Sequence, residues 1–306
     1  MKLGFLYAGQ GSQTPGMGKD FYEAYPQFAE IMDTAPVDFD LKTCCFDGEN
    51  INETQYTQPA MVAFACGITD LLKQVGIVPE VAAGLSLGEY SALAGSGVWG
   101  TKTAISIARF RGIAMTKAVE GMESAMMAIL SLDREKLQVA CEKASTLGVV
   151  QIANYNCPGQ LVIGGEKAAV EQAAVYAKEL GARRALPLKV SGPFHTSLLE
   201  PASKALHDHF ATITFGDMAY PILFNCLGDE KETDTSIANL LERQVMSSVY
   251  LEDSIRAMAA MGVDTIIEIG PGKVLSGFVK KTCPEITTYA ISSVEDFVAV
   301  KEAFSC

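Results

Sequence analysis

The 306-residue sequence is poor in several features that mark particular classes of protein. It contains no apolar run approaching the ~18 residues that a membrane-spanning helix requires. The apolar stretch that follows Met1 and Lys2 is too short for a signal peptide, and we expect it to form a β-strand instead. With 49% apolar and 20% charged residues and no internal repeat, the sequence predicts a globular protein and excludes a disordered or fibrous one.

Cysteine is also scarce. Eight cysteines are too few for a disulfide-stabilised scaffold of this length. Cys44 and Cys45 are adjacent, and no Cys-x-x-Cys pair occurs, so the sequence does not favour a zinc site. We therefore expect a protein of a reducing compartment, the cytoplasm.

Positive charge is scarce as well, and the formal net charge is −12. This charge argues against nucleic acid as the main partner. Residues 122–190 are the exception, with eight Lys/Arg and seven Asp/Glu, whereas the rest of the chain has 16 Lys/Arg and 29 Asp/Glu. The segment 122–190 is thus the less repulsive surface for an acidic partner, although scatter in composition explains the difference equally well.

Short β-forming runs recur ahead of glycine-rich turns and helical patterns. The predicted strands are residues 3–8, 79–84, 222–225, 265–269 and 288–292. A repeated succession of strand, turn and helix predicts an α/β fold with a mainly parallel sheet, covered by helices on both faces.

Residues 122–190 have a different pattern. The predicted elements there are a strand at 125–130, a helix at 133–146, strands at 149–154 and 160–163, a helix at 166–180 and a strand at 184–190. This βαββαβ order is the ferredoxin-like split unit, whose ends lie close together. We therefore expect residues 1–121 and 191–306 to form a large α/β domain, with residues 122–190 as an inserted ferredoxin-like subdomain.

The strongest local signal for chemistry is the segment 84–88, GLSLG. A GxSxG motif between a strand and a helix is typical of the nucleophile elbow, in which the serine sits on a tight turn. The flanking glycines allow substrate to approach, and the helix start offers backbone N–H groups and a positive dipole end. The motif also occurs by chance, but its predicted strand–helix context favours Ser86 as a nucleophile.

A serine nucleophile needs a base, and the chain has only three histidines. His207 and His209 lie two residues apart on a predicted helix, so they face different sides, and we expect both to be exposed. His195 follows an apolar strand that ends at a Gly-Pro pair, and strand tips at the carboxyl edge of a parallel sheet form active sites. We favour His195 as the base over a purely structural histidine.

An arginine lies in an unusual place on the helix predicted at residues 103–120. The apolar stripe of this helix consists of Ala104, Ile107, Ala108, Ala114, Met115 and Ala118. Arg111 falls near the middle of the stripe, whereas Arg109 falls on the opposite face, where we expect it to be solvated. A buried arginine needs an anionic partner, either a structural carboxylate or the carboxylate of a bound substrate. The planar guanidinium suits the latter.

Two glycine-rich segments are weaker signals. Residues 9–13, GQGSQ, lack the full GxGxxG pattern, and residues 270–273, GPGK, lack the spacing of a phosphate-binding P-loop. We expect both to be tight turns that bring backbone amides close to a site.

In combination, the motifs resemble those of the malonyl-CoA:acyl carrier protein transacylase family of bacterial fatty acid synthesis, whose domain is also the acyltransferase of polyketide synthases. The segments that carry the resemblance are GQGSQ at 9–13, GLSLGEYSAL at 84–93, RG at 111–112, NYNCPGQ at 154–160, PFH at 193–195, RQ at 243–244 and IGPG at 269–272. They occur in order along nearly the whole chain, so the joint pattern is specific although each motif alone is not.

The resemblance implies an α/β-hydrolase-like core with an inserted ferredoxin-like subdomain. It implies that Ser86 is the nucleophile and His195 its base, with the backbone carbonyl of Gln244 orienting the imidazole. The backbone amides of Gln10 and Leu87 are then the oxyanion hole.

The same resemblance implies that Arg111 binds the free carboxylate of a malonyl group and that Phe194 and Asn156 line the substrate pocket. Phe194 matches the malonyl-selective pattern of related domains. Two positions depart from the family pattern, namely Leu85, where histidine is common, and Ala8, where proline is common. Neither position carries the expected chemistry, although leucine in place of histidine at position 85 is expected to make the pocket less polar.

The implied reaction is the transfer of malonyl from malonyl-CoA to the phosphopantetheine thiol of acyl carrier protein, without a metal or redox cofactor. The implied partners are acyl carrier protein and malonyl-CoA, with no nucleic acid and no membrane. The alternatives are an acyl-thioester hydrolase, a polyketide-pathway acyltransferase of different acyl specificity, and a non-catalytic carrier-docking protein. An ordinary esterase is disfavoured, because Arg111 makes a poor pocket for a neutral acyl chain.

Overall fold

The computed structural model describes residues 1–305, which form an α/β structure with two sheets. The strands are β1 (Leu3–Tyr7), β2 (Val81–Gly84), β3 (Ser124–Leu130), β4 (Val150–Cys157), β5 (Gln160–Glu166), β6 (Arg184–Pro187), β7 (Ile222–Leu223), β8 (Thr265–Ile269) and β9 (Thr287–Ile291).

The helices connect these strands along the chain. They are α1 (Lys19–Ala24), α2 (Pro26–Asp33), α3 (Thr54–Gln74), α4 (Leu87–Gly95), α5 (Thr101–Ala118), α6 (Arg134–Ala144), α7 (Lys167–Glu179), α8 (Glu200–Phe210), α9 (Ile237–Gln244), α10 (Leu251–Ala260), α11 (Val274–Thr282) and α12 (Val294–Phe304). No helix within residues 1–305 combines the length and the apolar character needed to cross a membrane.

The first sheet has five strands in the order β7-β2-β1-β8-β9, and every neighbouring pair is parallel. Every residue of β1, β2 and β8 is buried. Because successive side chains of a strand point to opposite faces, this complete burial means that both faces of the sheet are covered. Helices α3, α4, α11 and α12 pack against it. The parallel sheet expected from the sequence is confirmed.

The register of this sheet brings three turns together. Tyr7, the last residue of β1, pairs with Gly84 at the end of β2 on one side and with Ile269 at the end of β8 on the other. The carboxyl ends of the three strands therefore lie side by side. The turns that follow them contain the GQGSQ, GLSLG and GPGK segments of the sequence.

The second sheet has four antiparallel strands in the order β4-β5-β3-β6. Together with α6 and α7 it has the βαββαβ order and the strand arrangement of a ferredoxin-like unit, as expected. An apolar core with Leu137, Ile163 and Ala173 fully buried joins the two helices to the sheet.

The edge strand β6 is shorter than expected and ends at Pro187. Proline has no N–H to donate to the neighbouring strand. The next residue, Leu188, still donates its amide to the carbonyl of Met126 (2.9 Å).

The chain forms two compact units, which differ in extent from the domains expected from the sequence. One unit consists of residues 1–113, 214–224 and the segment from residue 256 onward. The other consists of residues 114–213 and 225–255, so it contains all of the segment 122–190. The boundaries 1–121, 122–190 and 191–306 stay a prediction.

Candidate active site

Ser86 lies on a sharp turn between β2 and α4. Its φ of 52° and ψ of −101° place it in a backbone conformation that non-glycine residues rarely adopt. The two glycines of the motif are required by close packing, because a Cβ at Gly84 would overlap the backbone of Gly88, and a Cβ at Gly88 would overlap the carbonyl of Tyr7. The structure therefore forms the strained elbow that the GxSxG pattern predicts.

The turn after β1 packs directly against this elbow. A Cβ at Gly9 would overlap the carbonyl oxygen of Leu85, and the amide of Ala8 donates to the carbonyl of Ile269 (3.0 Å). The side chain of Gln10, the next residue, is held by α3, since its Nε2 donates to Thr54 Oγ1 (3.0 Å). The expected tight turn at residues 9–13 is thus fixed on both sides.

Two backbone amides at this turn and elbow remain available to a ligand. Within the described residues 1–305, neither the Gln10 nor the Leu87 backbone N–H donates a hydrogen bond to the protein. Leu87 opens α4, and the first N–H groups of a helix have no partner inside the helix. Such groups are suited to stabilise an oxyanion.

Arg111 is almost completely buried on α5, with 1% of its surface exposed. Its Nη2 donates a hydrogen bond to Ser86 Oγ (3.2 Å), and its guanidinium lies over the ring of Tyr90, 5.0 Å from the centroid. Burial lowers the pKa of Arg111 from its ordinary value, while Tyr90 and Glu89 act in the opposite direction. Arginine remains charged in proteins, so a buried cation stands beside the proposed nucleophile.

Arg109 is not the solvated residue expected from the helical pattern. Its Nε and Nη2 donate to the two carboxylate oxygens of Asp38 (2.8 and 3.1 Å), and its Nη1 donates to the carbonyl of Gln55 (2.8 Å). The guanidinium also lies over the rings of Phe39 and Tyr56. The expectation was wrong because the segment around residue 38 and the start of α3 cover this face of α5, which helical periodicity cannot reveal.

The second compact unit contains His195 and Gln244. His195 Nδ1 lies 2.9 Å from the carbonyl oxygen of Gln244, and the His195 amide donates to the carbonyl of Val245 (3.2 Å). A carbonyl oxygen only accepts, so Nδ1 carries the proton and Nε2 is left with its lone pair. The imidazole is therefore held in the tautomer that a general base needs.

Gln244 is the last residue of α9, and this position explains why its carbonyl is available. The last carbonyl groups of a helix have no intrahelical partner and carry a partial negative charge. Both properties favour a bond from an imidazole N–H and stabilise the imidazolium that forms when the ring accepts a proton. The side-chain amide of Gln244 is buried and donates to Asn225 Oδ1 (3.4 Å).

His195 itself does not lie at the tip of a strand of the parallel sheet, so that sequence expectation was wrong. The strand before it, β6, belongs to the antiparallel sheet and ends at Pro187. His195 instead lies in a loop with a left-handed φ of 62°. Its position is set by its bonds to residues 244 and 245, which come from a distant part of the sequence.

The four remaining candidate residues differ in how far they are buried. Phe194 and Asn156 are both buried, in the loop before His195 and in β4 respectively. His207 is exposed, as expected, and its Nδ1 lies 3.1 Å from the carboxylate of Glu242. His209 is half-buried rather than exposed, and burial lowers the pKa of its imidazole.

Sequence reasoning missed two residues that support the site. Tyr90 lies beneath the guanidinium of Arg111, and Thr54 holds the side chain of Gln10. The available signal for Tyr90 was its spacing, because residues four apart on a helix share a face, and Tyr90 follows Ser86 by four residues. No local pattern marks Thr54, which acts across 44 residues of sequence.

A strained serine at a strand–helix elbow, next to unused backbone N–H groups, is the arrangement of enzymes that carry an acyl group on serine. The model of the acyl transferase domain family matches residues 4–298 of this sequence. The chain therefore belongs to the acyl transferase domain family.

Curated relatives and solved structures are similar over nearly the whole chain. The sequence is 42% identical over 299 residues to a malonyl CoA-acyl carrier protein transacylase of Bacillus subtilis, covering 96% of this chain and 94% of the relative. It is 38% identical over 308 residues to the protein of that name from Escherichia coli K12, covering 98% and 99%.

Among solved structures, the chain is similar to a protein from Streptococcus pneumoniae described as MCAT, with a TM-score of 0.94, 44% identity and coverage of 99% and 100%. It is also similar to a malonyl-transacylase solved in complex with a type II PKS acyl-carrier protein, with a TM-score of 0.95, 35% identity and coverage of 99% and 100%.

Proposed function

We propose that this protein transfers the malonyl group of malonyl-CoA to the phosphopantetheine thiol of acyl carrier protein, through a malonyl ester on Ser86. The observation that carries the proposal is the 3.2 Å hydrogen bond from the buried guanidinium of Arg111 to Ser86 Oγ. It places a fixed positive charge beside the atom that receives the acyl group. The names of the curated relatives and the solved carrier complex support the same reaction.

The charge on Arg111 is the reason to propose malonyl rather than acetyl or a longer acyl chain. Malonyl differs from acetyl by a terminal carboxylate, which is costly to bury unless a cation pairs with it. A guanidinium offers such a carboxylate two parallel N–H groups. A neutral acyl group gains nothing from this charge.

In the first half-reaction, Ser86 Oγ attacks the thioester carbonyl carbon while its proton passes to Nε2 of His195. The amides of Gln10 and Leu87 stabilise the oxyanion of the tetrahedral intermediate. The carbon–sulfur bond then breaks, and the CoA sulfur takes the proton from His195. The Gln244 carbonyl keeps Nδ1 protonated throughout, so only Nε2 exchanges a proton.

In the second half-reaction, the thiol of acyl carrier protein gives its proton to His195 and its sulfur attacks the malonyl ester. The ester C–O bond breaks, and Ser86 recovers its proton from His195. The scheme uses no metal or redox cofactor. We also propose that the reaction takes place in the cytoplasm. This is supported by seven buried cysteines that form no disulfide, namely Cys44, Cys45, Cys66, Cys141, Cys157, Cys226 and Cys283.

The experiment that tests transfer starts from enzyme loaded with labelled malonyl-CoA and freed of excess substrate. Holo acyl carrier protein should remove the label from the enzyme, and the label should be recovered on the carrier protein as its malonyl thioester. Apo carrier protein, which lacks the thiol, is the matched control and should leave the enzyme loaded. Release of free malonate at the same rate with both carriers would identify a thioester hydrolase instead.

A further inference from the structure

The buried guanidinium of Arg111 lies next to a cluster of aromatic rings. Tyr90, which is fully buried on α4, stacks against Trp99, with ring centroids 6.1 Å apart and planes inclined by 21°. Trp99 in turn contacts the ring of Phe215 edge to face, at 5.2 Å. The Tyr90 ring is therefore held within a packed cluster of aromatic rings.

The guanidinium of Arg111 lies over the Tyr90 ring, with the guanidinium carbon 5.0 Å from the ring centroid. A cation at this distance is attracted by the ring's electron-rich face, and the attraction is stronger where water is excluded. Tyr90 also opposes the effect of burial on the pKa of Arg111. Tyr90, through its phenol group as well as its ring, thus offsets part of the cost of keeping a charge inside the protein.

We propose that Tyr90 is a specificity-determining positioning residue, whose ring sets the plane of the Arg111 guanidinium so that its N–H groups face the carboxylate of the acyl group on Ser86. The inference rests on the proposed function and adds the residue that makes the arginine selective. Tyr90 acts through Arg111 and takes no part in proton transfer.

The geometry gives a physical reason for this role. A guanidinium pairs with a carboxylate through two parallel N–H bonds only when the two planar groups are aligned. The long arginine side chain has several rotatable bonds, so its charge alone does not fix that alignment. A flat ring below the guanidinium restricts its tilt, whereas an aliphatic wall would not.

The test compares Tyr90→Leu and Tyr90→Phe by single-turnover acylation of the enzyme with malonyl-CoA and with acetyl-CoA. Tyr90→Phe keeps the ring and removes only the hydroxyl, so its ratio of the two rates should stay closer to the wild-type ratio than that of Tyr90→Leu. Tyr90→Leu should lower the malonyl rate by about 2- to 30-fold and leave the acetyl rate nearly unchanged. Tyr90→Met is made in parallel because its flexible side chain fills irregular space, and the proposal is judged on whichever aliphatic variant folds by circular dichroism.

Tyr176→Leu is the matched control, because it removes a tyrosine ring from beneath a lysine, Lys143, elsewhere in the chain. It should change neither rate. The proposal is overturned if the folded aliphatic variant keeps the wild-type ratio, or if both acyl groups slow equally, since the latter is the result of a purely structural role. Failure of the wild-type enzyme to accept malonyl at all would instead overturn the proposed function.

Discussion

The substitution Arg111→Ala removes the only group in the proposed mechanism that distinguishes malonyl from acetyl. Arg111 is 1% exposed, so a carboxylate paired with it, as proposed, would also be withdrawn from most of the solvent. The variant leaves that carboxylate without its counter-charge. We therefore expect the loss to fall on malonyl-CoA and not on acetyl-CoA.

The size of the effect follows from the burial of the pair. Truncating one partner of a buried, hydrogen-bonded charge pair costs about 2–5 kcal/mol. Because about 1.4 kcal/mol corresponds to a factor of ten, kcat/KM for malonyl-CoA should fall by about 30- to 4,000-fold. The rate with acetyl-CoA should hold or rise, since acetyl has no carboxylate and no longer meets a buried cation. Arg111→Lys should restore little, because lysine offers a point charge and no planar fork.

The assay measures acyl-enzyme formation with each thioester separately, and the malonyl-to-acetyl ratio is the informative quantity. Arg111 also bonds to Ser86 Oγ, so any change in the nucleophile would alter both rates by the same factor and would leave the ratio unaffected. Lys117→Ala, an exposed cation on the same helix, is the control and should change neither rate. Arg109→Ala is unsuitable because Arg109 anchors the helix to neighbouring segments. An equal loss with both thioesters would show that Arg111 does not select for the malonyl carboxylate.

Three further predictions concern the base, the carrier and the pH dependence of stability. His195→Ala should slow acylation by about 10²- to 10⁴-fold in single-turnover experiments while the protein stays folded, and an unchanged rate would exclude His195 as the base. Charge reversal at exposed basic residues should raise KM for the acidic carrier and leave loading from malonyl-CoA nearly unchanged. The residues to be reversed are Arg183, Arg184, Lys189, Lys280 and Lys281. Wild-type carrier kinetics in all of these variants would show that the carrier docks elsewhere. Because Arg109 donates hydrogen bonds to Asp38 and lowers its pKa, Asp38 stabilises the protein above the ordinary carboxyl pKa and loses this effect as the pH falls through its lowered value. Asp38→Asn should therefore cost at most ~1 kcal/mol of unfolding free energy in urea at neutral pH, with the difference vanishing in acid, and an equal difference at both pH values would contradict the ion-pair explanation.

The elements that the sequence could predict are those defined by local pattern. The GLSLG segment indicated a strand, a turn and a helix, and the structure has β2, Ser86 and α4 there. The βαββαβ order was also predictable, because each element carries its own periodicity and turn residues. The burial of Arg111 followed from its place on the apolar stripe of one helix. In each case the deciding information lies within about 20 residues of sequence, the span of a helix or a strand pair.

The elements that escaped prediction depend on contacts between distant segments. Arg109 was misplaced because its partners, Asp38 and the carbonyl of Gln55, are more than 50 residues away. The loop of His195 is fixed by backbone groups of residues 244 and 245, and a backbone carbonyl leaves no trace in residue type. The expected role of the Gln244 carbonyl could be inferred only from the family resemblance. The support that Tyr90 gives to Arg111 likewise appears only when α4 and α5 are packed together.

The malonyl ester on Ser86 is tested most directly by the intact mass of the protein after brief exposure to malonyl-CoA, followed by mapping of the modified peptide. Wild-type protein should gain the mass of one malonyl group, and the modified peptide should contain Ser86. Ser86→Ala should fold and gain no mass. Ser91→Ala, which removes a buried serine from the helix that follows Ser86, should be modified like the wild type. A malonyl adduct on the Ser86→Ala protein, or normal turnover by it, would show that Ser86 does not carry the acyl group.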